Sequence, residues 1–332
     1  MIMSIWKRPR VLAAILAVVI LMLCVMAGPV RATETVPEET VPEVTEPKVY
    51  TVDTESEVYK VCEELAATLE ATQILVYDTA SDEILYSKTV EGEKLYPASI
   101  TKLFSCYVAL QYLDPDEIIT AGDELDLVAP DSSMAYIYKN QMVKVKTVVE
   151  AMMLPSGNDA AQILAAAAGR RISGDESLGA EEAVRTFVQE MNRMAEELGF
   201  EKSHFMNPDG YHVGAHYTCI KDMARIAKLA LENKTISRYM RLLEEDVVYA
   251  SGQTNHWKNT NKLLDPEGLY YRTDAIGMKT GRTSQAGYSL MSAFKNGDST
   301  LVIGIFGCPD ENARFRDSIL MVRAVKDALK NQ

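Results

Sequence analysis

Histidine, cysteine and tryptophan are scarce in this chain of 332 residues, which holds four His, five Cys and two Trp. His204, His212, His216 and His256 show no zinc spacing, so structural roles are expected for them and no metal is implied. No glycine-rich phosphate loop or other cofactor motif occurs. Cys24 lies in an N-terminal leader, and the other four, Cys62, Cys106, Cys219 and Cys308, allow three pairings but lack the spacing of a metal knuckle. Cys62 and Cys106 fall among apolar neighbours, so buried free thiols are expected and no disulfide is assigned. Basic charge is also short: 34 Lys and Arg against 47 Asp and Glu leave a net charge of −13, which excludes nucleic acid as a natural partner.

Residues 1–32 lack acidic side chains altogether. Lys7, Arg8 and Arg10 precede an uncharged apolar run from Val11 to Ala27, and Val25-Met26-Ala27 and Val30-Arg31-Ala32 offer small-residue cleavage contexts. Residues 1–32 therefore read as an export signal. The alternative is an uncut N-terminal anchor that attaches the protein to the membrane, because the run is near the lower limit for spanning a bilayer. Bulky Leu23 before Cys24 argues against lipidation. Loss of the four leader cations would take the net charge to −17. Residues 33–50 are mostly Thr, Glu, Val and Pro, with Pro37, Pro42 and Pro47 at regular intervals, and are expected to form a disordered spacer. Residues 51–332 form the body, large enough for one well-packed unit, with an extracytoplasmic location following from the leader.

Apolar spacing predicts helices over 55–68, 99–113, 145–153, 159–168, 181–198, 221–232 and 312–330. Strands are predicted over 73–77, 83–87, 277–283, 287–294 and 299–307, with Asn296-Gly297 as a hairpin turn. Two early and three late strands enclosing a helical stretch predict an α/β fold of the α+β kind: one antiparallel five-stranded sheet flanked by helices, with an all-helical subdomain.

Three motifs carry the chemistry. Ser99-Ile100-Thr101-Lys102 puts an amine one helical turn from a hydroxyl, so Lys102 can serve as the base that activates Ser99. That requires burial or a neighbouring cation to lower the lysine from about 10.4, and Lys279 is the expected cation. The pattern alone is weak, since it recurs at Ser4 to Lys7 and Ser292 to Lys295, and an incidental surface pair is the plain alternative. Ser156-Gly157-Asn158 falls in a turn between two helices, where Ser156 can relay a proton and the Asn158 amide can hold a peptide group. Capping of the next helix by Asn158 and Asp159 explains these residues equally well, and both readings can hold together. Lys279-Thr280-Gly281 lies in a strand, where glycine makes sense if another backbone approaches closely, as when a peptide substrate lines up along the edge. Lys279 and Thr280 would hold a terminal carboxylate there. The N–H groups of Ser99 and Arg282 would stabilise an oxyanion.

In this order the motifs resemble the penicillin-recognising serine enzymes, and in context their D-alanyl-D-alanine carboxypeptidase branch, the low-molecular-mass penicillin-binding proteins. The longer matching stretches are Tyr96 to Lys102, Leu154 to Ala161, Phe205 to Gly210 and Lys279 to Thr283. The resemblance implies a β-lactamase/transpeptidase-like fold and removal of a terminal D-Ala from peptidoglycan stem peptides, with no cofactor and with covalent binding of β-lactam antibiotics. It implies Ser99 as the acylated nucleophile, Lys102 as its base and Ser156 as proton relay. Asn158, Lys279, Thr280, Gly281, Arg282 and Thr283 would contact substrate. Two departures from the pattern are expected: neither the β-rich second domain nor the C-terminal amphipathic anchor of many relatives is anticipated after the catalytic body, and Arg282 stands where an aromatic residue or His is common. A β-lactamase and a catalytically silent peptidoglycan-binding module are the rival readings. The first is disfavoured because no Leu-Asn pair, part of the usual deacylating motif, occurs in the chain. Arg314 and Arg316 open the last helix and are expected at the solvated surface, although either can lean toward a substrate carboxylate.

Overall fold

The computed structural model describes residues 48–90, 92 and 94–331. The leader and nearly all of the expected spacer lie outside the described residues. The body begins earlier than residue 51: Tyr50 is buried, its ring meets Tyr77 edge-on at 6.1 Å, and Arg225 donates to the Lys48 carbonyl at 2.6 Å.

Helix α1 (Glu57–Ala66) starts where Ser56 accepts a hydrogen bond from the Tyr59 N–H, and it buries Val58, Cys62 and Ala66 on one face. Strands β1 (Gln73–Asp78) and β2 (Glu83–Lys88) form the first hairpin. After a 3-10 turn at Ala98–Ile100 come α2 (Thr101–Ala109), the short strands β3 (Ile118–Thr120) and β4 (Met142–Lys144), then α3 (Val145–Met153), α4 (Asn158–Ser173), α5 (Ala180–Glu197), α6 (Ile220–Glu232) and α7 (Lys234–Tyr239). A small ribbon, β5 (Glu244–Val248) with β6 (Thr254–Lys258), precedes the long strands β7 (Ala275–Thr283), β8 (Gly287–Asn296) and β9 (Ser299–Cys308), and α8 (Glu311–Lys330) ends the fold.

The main sheet has the order β2-β1-β9-β8-β7 and is antiparallel throughout. Both ends of the body thus meet in one sheet, as the strand pattern predicts. In β1 the two faces serve two cores. Ile74 and Val76 pack with α1 and α8, while Leu75 and Tyr77 join the core shared with the helical subdomain. Each such fully buried aliphatic side chain contributes about 1.5–3 kcal/mol. The β8–β9 turn has Gly297 at φ +59° and is closed by the pair Asn296↔Ser299.

The short elements β3 to β6 and α7 are absent from the sequence-based expectation, and α4 runs five residues past Ala168. The segment expected as a helix from Ser99 to Leu113 begins instead as the tight 3-10 turn and ends at Ala109. Strand β7 lies at the sheet edge, so half of its backbone polar groups face away from β8, toward the helical subdomain and the cleft between them.

Candidate active site

Ser99 sits in the 3-10 turn between β2 and α2, and the turn is clamped from two sides. Ala98 adopts φ +48°, a left-handed conformation costly for a residue with a Cβ. Gly210, itself at φ +81°, lies so close that a Cβ there would meet the Ala98 carbonyl oxygen at 1.8 Å. A Cβ on Gly281 of β7 would meet the Pro97 carbonyl oxygen at 2.9 Å. The backbone for which the Lys-Thr-Gly glycine makes room is therefore the chain's own nucleophile turn, which corrects the expectation that a substrate strand required it.

Lys102, one turn further on, is fully buried. Its ammonium donates to Ser99 Oγ at 2.8 Å, Asn158 Oδ1 at 2.7 Å and the Asp209 carbonyl at 2.9 Å. The Asn158 amide in turn donates to Ser132 Oγ at 2.9 Å. Asp159 spends both carboxylate oxygens on the N–H groups of Ala135 and Ile137, at 2.9 and 3.0 Å. Neither residue caps α4, whose cap position is Gly157 without a side-chain hydrogen bond. The capping expectation is overturned because the side chains of Asn158 and Asp159 turn sideways, to the nucleophile's lysine and to the 132–137 loop. Gly157 is there for space, since a Cβ would sit 2.7 Å from that of Ala135.

Ser156 has φ +66° and lines a cavity of about 690 Å³ together with Ser99, Thr280, Gly281, Arg282 and Arg314. No hydrogen bond joins Ser156 to Ser99, Lys102 or Lys279 among the described residues. Lys279 is fully buried and donates to the Thr280 carbonyl at 3.2 Å, while the hydroxyls of Thr280 and Thr260 are 2.6 Å apart. A second cavity of about 380 Å³ opens on the other side of Ser99, lined by Asp131, Ser132, Asn158, Tyr211, Arg282 and Thr283 among others. Thr283 also accepts the Ala286 N–H at 2.9 Å, closing the β7–β8 turn. Ser99, Ser156, Asn158 and Thr280 to Thr283 thus line the two cavities, while Lys102 and Lys279 are buried beside Ser99 and Thr280.

Burial alone lowers the Lys102 pKa to about 8, against the charges of Asp209 and Asp159 that raise it, so the expected Lys279 cation is not the cause. Lys279 falls well below its ordinary value, through burial first and then the charges of Lys102 and Arg314. The charge coupling thus runs opposite to the expectation, with the Lys102 ammonium, held by three acceptors, pushing Lys279 down.

Three contributors lie outside the three motifs. Arg314, expected at the surface, is 5% exposed and donates through Nη1 to the carbonyls of Gly281 and Ser289 at 3.3 and 3.4 Å. Its Nε is buried without a partner. Arg316, by contrast, lies outside the cleft and pairs with Glu70 at 2.9 Å. The turn Asn207 to Gly210 supplies the Asp209 carbonyl to Lys102 and is held by Gln162 and Ser105. His216 supports the same turn, accepting the Met206 N–H at Nδ1 and placing Nε2 2.9 Å from Thr101 Oγ1. Burial pulls its pKa down to about 3, so it is a neutral structural imidazole, as expected. The four cysteines among the described residues are buried free thiols, as expected for Cys62 and Cys106. Among the described residues there is no group of His, Cys, Asp and Glu able to hold a metal, and no helix long and apolar enough to cross a membrane.

Residues 60–309 match the family described as D-alanyl-D-alanine carboxypeptidase. The chain is 30% identical over 250 residues to D-alanyl-D-alanine carboxypeptidase DacF of Bacillus subtilis, and 28% identical over 262 residues to DacC of Escherichia coli. These alignments cover 74% and 76% of this chain but 59% and 60% of the relatives, so the chain spans about three-fifths of their length. The crystal structure of the Streptomyces K15 DD-transpeptidase superposes with a TM-score of 0.68 at 27% identity, covering 77% of this chain and 97% of that one.

Proposed function

This chain belongs to the D-alanyl-D-alanine carboxypeptidase family, and on that premise we propose that it removes the terminal D-Ala from peptidoglycan stem peptides through an acyl-enzyme on Ser99. The observation that carries the proposal is the 2.8 Å contact between Lys102 Nζ and Ser99 Oγ, inside a cleft that also holds Ser156 and Thr280. Lys102, once it has shed one proton, takes the hydroxyl proton as Ser99 attacks the carbonyl between the two D-Ala residues. The N–H groups of Ser99 and Arg282 receive the developing oxyanion, where one donor is typically worth about 3–4 kcal/mol. Ser156 passes a proton to the departing amine, and water then releases the shortened peptide.

The larger cavity suits the leaving residue. Arg314, with an unspent Nε–H, and Thr280 line it, and the nearby Lys279 ammonium adds positive potential for a terminal carboxylate. Asn158 and the edge of β7 hold the peptide on the acyl side. β-Lactams, which present a similar carboxylate and carbonyl, would acylate the same serine. The enzyme would work on the outer face of the membrane or in the wall, delivered or anchored by its first 32 residues.

The test is Ser99→Ala in the full chain, assayed for D-Ala release from a stem pentapeptide and for covalent penicillin labelling. Both activities should vanish while the fold, followed by circular dichroism, persists. Labelling with unchanged stoichiometry would refute the assignment of Ser99. Rapid penicillin turnover without D-Ala release would favour a β-lactamase, and neither activity in the parent chain a silent binding module.

A further inference from the structure

Thr260 and Thr280 stand side by side in the wall of the larger cavity, their hydroxyl oxygens 2.6 Å apart. Thr280 meets the leaving carboxylate in the reaction above, and Thr260 has no task in it. Among the described residues neither hydroxyl has another hydrogen-bond partner, so one proton lies between the two oxygens and the second is unspent. The Thr260 backbone is fixed independently of this contact. Its N–H donates to the Leu154 carbonyl at 3.1 Å, just ahead of the Ser156 turn. Asn259 donates through its N–H and its side-chain amide to the carbonyls of Leu243 and Leu242, at 2.6 and 2.9 Å, and accepts the Asn261 N–H at 2.9 Å. A held backbone that is tied to the Ser156 side of the cleft thus delivers the Thr260 side chain to β7.

We propose that Thr260 is a positioning residue that sets the direction of the Thr280 hydroxyl, so that the Thr280 proton points at the terminal carboxylate of the substrate. The inference rests on the carboxypeptidase reading above. A carboxylate only accepts hydrogen bonds, and each hydroxyl has one proton to give. With the Thr280 proton spent on Thr260, the Thr280 oxygen would present lone pairs to the incoming anion and repel it. With Thr260 as the donor, the Thr280 oxygen accepts from behind and its own proton is free for the substrate. The two hydroxyls then form a chain in which the inner hydrogen bond polarises and strengthens the outer one. Thr260 can take the donor role because no other acceptor among the described residues claims its proton. It acts through Thr280, without touching the substrate.

The experiment uses the full chain and two stem pentapeptides, one ending in D-Ala-D-Ala and one in D-Ala-D-alaninamide, which lacks the anion. Thr260→Val keeps the shape and the backbone bond to Leu154 but has no proton to give. It should raise KM for the carboxylate peptide on the order of fivefold, the size of one neutral hydrogen bond, and narrow the preference over the amide by the same factor. Thr260→Ser should restore both. Thr280→Val should lower kcat/KM for the carboxylate peptide, and adding Thr260→Val to it should cost no more than about twofold further, because the two hydroxyls act as one unit. Thermal melts establish that each variant is folded. Unchanged KM in Thr260→Val, equal losses for the two peptides, or additive losses in the double variant would overturn the inference, while D-Ala release by the parent chain leaves the catalytic reading standing. Absence of both D-Ala release and penicillin labelling in the parent chain would sink that reading, and the role of Thr260 with it.

Discussion

The two lysines of the site are buried alike and held in opposite ways. Lys102, on the helical side of the cleft, gives its three N–H donors to three acceptors from three segments: the nucleophile turn, the start of α4 and the Asn207 to Gly210 turn. Lys279, on the sheet side, has a single hydrogen-bond partner among the described residues, the carbonyl of the next residue in its own strand. A buried ammonium with donors unspent is costly, and Lys279 accordingly falls well below the ordinary lysine value, through burial first and then the charges of Lys102 and Arg314. The difference teaches a division of labour. The satisfied amine touches the nucleophile and needs only to lose one proton for chemistry. The unsatisfied amine keeps donors for an anionic substrate, while Arg314 near it is paired with Glu311 at 3.1 Å.

Removing each lysine should separate these roles. We expect Lys102→Ala to slow acylation by penicillin about 10³-fold or more, the upper range for loss of a general base. Lys279→Ala should cost about 10²-fold, with a rise in KM for carboxylate-bearing substrates, because it removes charge that greets the substrate. Stopped-flow acylation rates with thermal melts of both variants check this. Equal losses at unchanged KM would erase the distinction between the two amines.

The pH profile sharpens the comparison further. With Lys102 at about 8, only about one-tenth of it is neutral at pH 7, so acylation should rise with pH and level off above that value. Asn158→Asp would place a carboxylate where Oδ1 now accepts from Lys102 at 2.7 Å, favour the ammonium, and move the midpoint up by about one unit or more. A midpoint that stays put in this variant, measured from acylation rate against pH, would remove Lys102 as the titrating base.

Much of this arrangement was legible in the sequence. The i to i+3 spacing brought Lys102 to Ser99, and the period-2 strands with their Gly297 turn brought Lys279 to the same sheet. What stayed hidden has physical causes. Strands β3 to β6 run three to five residues each and show mixed exposure, so no alternation stands out in them. Arg314 opens α8 in a polar stretch, and only the fold over β7 and β8 buries it. Asn158 and Asp159 carry the composition of a cap, yet the neighbouring 132–137 loop and Lys102 compete for their oxygens and win. The Asp209 acceptor is a backbone carbonyl, which no side-chain pattern reports, although the Asn207-Pro208-Asp209-Gly210 turn that carries it was visible as a motif.

A third buried ionisable group tests whether being left unsatisfied always signals function. Glu150 lies on α3, the helix that delivers Ser156, and is 4% exposed with Oε1 unpartnered. Burial first, and then Glu245 on β5, push its carboxyl up to about 7, against a lowering by Arg238 on α7. Since its folded pKa exceeds the ordinary 4.5, its contribution to stability is fully present below pH 4.5 and is lost as pH rises through 7. It lines neither of the two cavities beside Ser99, so an anion or cation from the substrate does not reach it. Glu150→Gln keeps the shape and cannot ionise. It should match the parent protein near pH 5 and gain about 1 kcal/mol at pH 8, with acylation by penicillin unchanged. Chemical denaturation at the two pH values reads this directly. Parallel stability curves would mean that the carboxyl is already relieved by Arg238, and a loss of acylation would mean that α3 transmits its charge state to Ser156.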